Sequence, residues 1–254
     1  MIKQFTQQSP QEAFLEVREL HYSAGSREPF HAHEQGQLIY PVSGVAKIRS
    51  EQNVWVVAPG HALWLPGRLP HGLEAIGKVL THNLYMTPAA SAAFGLHCRS
   101  LAVTPLFQSL TAAGLEKPAD AQRARLLHDL LHNELLRLQD IALCHITLPH
   151  DRRIRQLCDA LCSDLSQRET LAWWGRQVGA SERTLARLFR EETQLSFTEW
   201  RQQMHLVEAV CHLARGTTIS NLSSTLGYAS SSAFIAMFRK KLGVSPQRYI
   251  GRYL

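Results

Sequence analysis

The apolar positions of this chain change their period twice, and the changes divide it into three stretches. From about residue 14 to 86 the apolar residues come in short runs, at 38–42, 54–58 and 62–65. Pro41, Gly44, Pro59, Gly60, Pro66 and Gly67 break these runs at short intervals. Many short strands with Gly/Pro turns predict an all-β barrel or jelly roll. From Thr87 to about His150 the period becomes helical, with helices expected at Pro105–Ala113 and 121–138. In the second, Leu127, Leu130, Leu131, Leu135 and Leu138 form one broad stripe, fit to pack on the barrel or on a second copy across a two-fold axis. His128 and His132 fall on its polar side and are expected in solvent, while His61, His82 and His97 have no ligand spacing. Trp55 and Trp64 are expected as core or pocket wall. Leu148-Pro149-His150-Asp151 reads as a joint, because Pro149 disfavours helix on its N-terminal side and Asp151 is a suitable N-cap.

Beyond the joint the pattern is helical throughout, and it repeats. Residues 181–190, SERTLARLFR, place Leu185, Leu188 and Phe189 on one face and Arg183, Ala186, Arg187 and Arg190 on the other. Ser181 can cap this helix, and Glu182 sits at the positive end of its dipole. Residues 230–241, SSSAFIAMFRKK, repeat the design: Ser181, Leu185, Phe189 and Arg190 return 49 residues on as Ser230, Phe234, Phe238 and Arg239. Upstream, Leu171, Trp174 and Gly179 return at an offset of 48 as Ile219, Leu222 and Gly227. Each copy reads as helix, Gly-containing turn, capped helix, the pattern of a helix-turn-helix.

Charge sharpens the division. Residues 1–150 carry 12 Lys+Arg and 12 Asp+Glu, so the whole net charge of +6 lies in residues 151–254. A basic module on a neutral partner fits a domain that neutralises phosphates. Eleven of the 13 histidines lie in the neutral part, which implies a different task there. Five cysteines without framework spacing fit a reducing cytoplasm, and Cys158 and Cys162 are expected as small core residues. Residues 1–8 are polar, there is no secretory h-region, and no apolar run approaches the ~18 residues of a membrane span, so a cytoplasmic protein without membrane contact is expected.

The segments LAWWGRQVGASERTLARLFREETQLSFTEWR, LVEAVCHLARG and LGYASSSAFIAMFRKKLGVSPQRY resemble the DNA-binding domain of the AraC/XylS family of bacterial transcription regulators. Two departures are Gln194, where that family usually has glycine, and Ala229, where a polar residue is common. In the first stretch, Gly25-x5-His31-x-His33-x3-Gln37-x6-Gly44 resembles the first cupin motif, with Gln37 in place of the glutamate of metal-binding cupins. Gly60-x5-Pro66-x-Arg68-x2-His71 resembles the second, with Arg68 where glycine is usual. Together they imply an α+β chain of two domains: an N-terminal cupin-like β-barrel with following helices, and a C-terminal all-α domain with two helix-turn-helix motifs joined by a linker helix. The expected boundaries are 1–86 for the effector-sensing barrel, 87–149 for a helical dimerisation and linker region, and 150–254 for the DNA-binding domain.

The resemblance implies that His31, His33, Gln37 and His71 line a pocket for an organic effector or hold a divalent metal, with Zn²⁺, Ni²⁺ and Fe²⁺ all suited to imidazole. Loss of the carboxylate weakens any divalent site. In the other domain, residues 197–215 read as one linker helix of roughly 28 Å, near the ~34 Å between successive major grooves on one face of DNA. Ser181, Arg183, Thr184, Ala186, Arg187 and Arg190 are the expected DNA-facing residues of the first motif, with Arg183 and Arg187 reading guanine and Arg190 on phosphate. Their counterparts are Ser231, Ser232, Ile235, Ala236, Arg239, Lys240 and Lys241, the lysines setting affinity and salt dependence. The function implied is an effector-responsive transcription regulator, acting on promoter double-stranded DNA as a homodimer and touching RNA polymerase if it activates. The rival classes are a metal-dependent cupin enzyme and a regulator acting without effector. The missing glutamate and the absence of a second acid/base weigh against the enzyme.

Overall fold

A computed structural model describes residues 15–116, 120–141 and 144–253. The polar start at residues 1–8 lies outside these. The N-terminal part contributes eight strands: β1 (Leu15–Tyr22), β2 (Arg27–His31), β3 (Gly36–Ser50), β4 (Asn53–Val57), β5 (His61–Leu65), β6 (His71–Met86), β7 (Arg99–Ala102) and β8 (Cys144–Thr147). β3 and β6 pair along nearly their whole length, with register shifts around Ser43 that bend them. One end of the pair is flanked by β1 on one side and by β5 and β7 on the other. The opposite end is flanked by β2 and by β4 and β8. The bend therefore divides a single antiparallel sheet into two halves, each with its own edge strands.

Between the halves lies a core of Ile39, Ile48, Trp55, Leu63, Leu65 and Leu73. The outer faces are covered as well, which is why the runs at 54–57 and 62–65 are continuously buried instead of alternating. On one outer face Leu38, Tyr40, Trp64 and Leu84 pack with Phe94, Phe107, Leu131 and Leu135. These come from the segment containing α1 (Pro88–Ser91), α2 (Pro105–Ala113) and α3 (Ala121–Arg137). Gly36 permits this packing, since a Cβ there would lie 2.2 Å from the Trp64 ring.

The stretch expected as a helical region at 87–149 also carries two strands of the sheet. β7 and β8 complete the sheet on either side of α2 and α3, so residues 87–147 belong to the same unit as the barrel. His128 and His132 are also placed differently from the expectation: both are half-buried, His132 with its ring 6.2 Å from that of Phe94. Trp55 and Trp64 are core residues, as expected.

The C-terminal part is all helix: α4 (Arg152–Ser163), α5 (Leu171–Val178), α6 (Glu182–Thr193), α7 (Phe197–Ala214), α8 (Ile219–Thr225), α9 (Ser231–Leu242) and α10 (Pro246–Tyr253). The repeat seen in the sequence is structural: α6 and α9 have the same length, serine N-caps and left-handed C-caps, at Gln194 and Gly243. Asp151 caps α4, and a Ser196–Glu199 capping box opens α7. Of the α4 cysteines Cys158 is buried, whereas Cys162 is exposed and not the core residue expected. One apolar core joins this domain to the second outer face of the sheet, uniting Val54, Val56, Ile146 and Leu148 with Trp200, Val207 and Val210. The Trp200 indole donates to the Thr147 carbonyl at 2.8 Å. No helix among the described residues is long and apolar enough to cross a membrane.

Candidate effector site and nucleic-acid interface

Strand register brings the first site together. His31 ends β2 and stands opposite His71, the first residue of β6. Gln37, second in β3, stands opposite Tyr85. His33 joins them from the β2–β3 connection, and the ligand atoms of the three imidazoles lie within 4.8 Å of one another. Each imidazole is held through Nδ1 by a main-chain carbonyl: His31 by Pro29 at 3.0 Å, His33 by Gln35 at 2.8 Å, and His71 by Leu69 at 2.8 Å. A carbonyl can only accept, so Nδ1 carries the proton in all three and Nε2 of the neutral ring presents a lone pair.

Gln37 Oε1 lies 3.0 Å from Nε2 of both His33 and His71. Its amide nitrogen donates to the Tyr85 hydroxyl at 3.1 Å. Two lone pairs facing a third acceptor are satisfied when the amide turns and donates to the imidazoles, when an imidazole takes a second proton, or when a cation sits among the four groups. The donor set suits the last: three imidazoles oriented by carbonyls, the outer-sphere arrangement that fixes metal-ligating histidines, plus one amide oxygen. Burial pushes the His71 pKa down, the Leu69 carbonyl opposes this, and His31 and His33 push it further down, so His71 is neutral at physiological pH. Burial raises the Tyr85 hydroxyl, which stays protonated. Tyr85 was missed in the sequence because it lies 48 residues from Gln37, linked only by register.

Two of the four motif departures fall at positive backbone angles, which is why glycine is usual there. Arg68 has φ 66° and Gln194 φ 60°, each standing where glycine is usual. The Arg68 backbone N–H donates to the His33 carbonyl at 2.7 Å, which fixes the loop carrying that imidazole.

In the second site, α6 buries Leu185, Leu188 and Phe189 and exposes Ser181, Arg183, Ala186, Arg187 and Arg190. Ser181 Oγ accepts from the Thr184 amide at 3.1 Å, and the Thr184 hydroxyl is engaged with it at 2.9 Å. Arg187 is paired with Glu191 at 2.6 Å, one turn on. On α9, Ser232, Ala236, Arg239 and Lys240 are exposed and Lys241 is half-buried. Ser231 and Ile235 are turned inward: the Ser231 hydroxyl meets that of Ser223 at 3.1 Å, and Ile235 packs on the core. The exposed front of α9 is thus narrower than its sequence suggests. Arg168 and Arg201, which helix spacing did not single out, line a cleft of about 580 Å³ beside Arg187 and Arg190.

Comparison with known proteins bears on both sites. The AraC-like ligand binding domain matches residues 14–145, and a helix-turn-helix domain matches residues 174–252. The HTH-type transcriptional regulator NimR of Escherichia coli is 35% identical over 228 residues, covering 88% of this chain and 82% of its own. RipA of Corynebacterium glutamicum, also an HTH-type transcriptional regulator, is 26% identical over 84% of this chain and 61% of its own. Among solved structures, ToxT from Vibrio cholerae aligns over 93% of this chain and 98% of its own at 12% identity, with a TM-score of 0.41. NimR and RipA are named regulators, and the two matched domains are those of regulators and not of enzymes. The chain belongs to the AraC family of transcriptional regulators, with a ligand-binding domain in front of a helix-turn-helix DNA-binding domain.

Proposed function

We propose that this regulator senses a divalent transition-metal ion through His31, His33, His71 and the Gln37 amide, and that the ion changes its affinity for promoter DNA. The observation that carries the reading is the set of three Nδ1–carbonyl bonds, which aim three Nε2 lone pairs at one place. Zn²⁺, Ni²⁺ and Fe²⁺ all suit such a donor set. With no carboxylate in the set, the ion keeps its charge inside the barrel, which favours reversible over permanent binding. A second reading has its own support: with the Gln37 amide turned, Tyr85, Gln37 and the two imidazoles close a metal-free network able to receive an organic effector.

On the DNA side, Arg183 and Arg187 read guanine edges from α6, while Arg190, Arg239 and Lys240 meet phosphates. Ser232 and Ala236 offer one hydroxyl and one methyl, so the first motif carries most of the sequence specificity. α7, at 18 residues and roughly 27 Å, spaces the motifs for successive major grooves. A homodimer is supported by Leu126 and Leu130, which α3 exposes one turn apart. Sedimentation of the full chain beside a Leu126→Glu/Leu130→Glu variant should show a dimer reduced to monomer. If it activates transcription, it acts in the cytoplasm together with RNA polymerase.

The deciding measurement is the metal content of untagged protein purified without chelator, beside His31→Ala/His71→Ala. About one equivalent of a single ion in the parent and none in the variant is expected. Adding and stripping that ion should then shift DNA affinity. An ion-free parent that takes up no ion on titration would retire the metal reading and leave the organic effector.

A further inference from the structure

Arg168 and Arg201 belong to neither recognition helix, yet they join two clefts into one groove. The first cleft opens on the front of α6 at Ala186 and Arg187. The second, about 360 Å³, shares Arg168, Thr198 and Arg201 with it and reaches Gly227 and Ala229 at the entry to α9. The groove therefore runs from one recognition helix to the other. Arg201, on α7, is half-buried, with its guanidinium 5.2 Å from the centre of the Phe197 ring. Arg168 is exposed and passes close to the second motif: a Cβ on Gly227 would lie 2.8 Å from the Ser166 carbonyl and 3.3 Å from Arg168 Nε.

Neither arginine has a carboxylate partner among the described residues. In the same domain Arg153, Arg155, Arg187 and Arg215 each lie within 4 Å of one. Glu169 and Glu182 line the outer cleft against four arginines, and the inner cleft has no acid. Arg190 on the front of α6 is unpaired among the described residues too, and cations left without a carboxylate in a groove between two DNA-reading helices call for an anion from the DNA.

The geometry of the duplex says which anion. If α6 and α9 enter successive major grooves on one face, the point between them faces the minor groove of the spacer, bordered by two phosphate strands. Phosphates are the outermost atoms of that edge. Arg201 is set back on the linker helix and meets them before any base. We propose that the groove holds the phosphates bordering the spacer minor groove, with Arg168 and Arg201 as their cations. The proposal rests on the reading that both recognition helices occupy major grooves.

The test uses the full chain and a duplex enriched from random sequence by the wild-type protein. Each phosphate contact contributes about 0.9 to the slope of log affinity against log salt. Arg168→Gln and Arg201→Gln should each flatten the slope by about that amount, with base preferences unchanged, and lysine at either position should restore it. Neutral methylphosphonates at the spacer phosphates should weaken the wild type and leave the double Gln variant unaffected. An unchanged slope in the double variant, or equal loss by both proteins on the neutralised duplex, would overturn the proposal. Failure of the underlying reading has a separate signature: Arg187→Ala would then leave base preference intact.

Discussion

Gln194 and Gly243 do the same work in the two motifs, ending a recognition helix in a left-handed turn, with φ 60° and 75°. A side chain there crowds its own carbonyl, at roughly 1–2 kcal/mol for a residue other than glycine. The Gln194 amide recovers part of this by donating to the Glu191 carbonyl at 3.1 Å, an exposed and therefore weak bond. Glycine would remove the strain and add backbone freedom to the unfolded chain. The expected net effect of Gln194→Gly is a gain of about 0.5–1 kcal/mol, read as a higher urea midpoint with unchanged m-value. A lower midpoint would mean that the Glu191 bond outweighs the strain. Arg68 is the other such position, and there the side chain is engaged: its guanidinium pairs with Glu34 at 2.7 Å beside the loop that carries His33.

Whole elements were legible where local chemistry repeats, and hidden where only distant pairing defines them. The caps and turn glycines of α5, α6, α8 and α9 are local signals, so the repeat could be placed to the residue. β7 and β8 are four-residue strands without alternation, attached to the sheet by pairing with β5 and β4, and nothing nearby announces them. The histidine spacing announced the sensor site, but its closure by Tyr85 depended on β3–β6 register. Also hidden was the seam between the sheet and α7, where Lys47 of β3 meets Glu208 at 2.6 Å with both side chains mostly buried. Burial pushes Lys47 down, and Glu208 together with Cys211 and Glu74 pushes it up by more, so it stays charged. Glu208→Gln leaves that ammonium without its counter-charge and should cost about 2 kcal/mol, less than a fully buried pair because some water reaches it. Lys47→Met with Glu208→Leu should recover most of the loss in a double-mutant cycle of urea midpoints. Equal losses in the single and double variants would mean that α7 is seated by apolar packing alone.

The molecule is built in layers: α2 and α3, one half-sheet, the interior holding the histidines, the other half-sheet, and the DNA-binding domain. Two histidines shielded from solvent, His61 at the seam between the sheet and α10 and His205 inside the DNA-binding domain, set an acid limit on its stability. His61 of β5 stacks 4.7 Å from the Tyr253 ring of α10, and burial, followed by the charge of Arg252, lowers its pKa to about 4. His205 of α7 faces Tyr228, 3.3 Å from its hydroxyl, and burial followed by Arg201 lowers it to about 4. In the unfolded chain both titrate near the ordinary 6.5. Between those values the unfolded chain binds the extra protons, so the folded state loses stability as pH falls from 6.5 towards 4 and holds it in full above 6.5. The limit is roughly 3 kcal/mol for each group, reduced in practice by the water that reaches them. The carboxylates held low by their partners, Asp151 by Arg153 and Asp140 by Arg99, add their losses only below the ordinary carboxylate range, so the upper part of the window belongs to histidine. Urea midpoints should therefore be flat above pH 7 and decline from pH 6.5 to 4.5. His61→Phe keeps the stacking on Tyr253 but cannot take a proton, and should make that decline shallower. A decline as steep as the wild type's would place the acid sensitivity elsewhere and leave the α10 seam without a part in it.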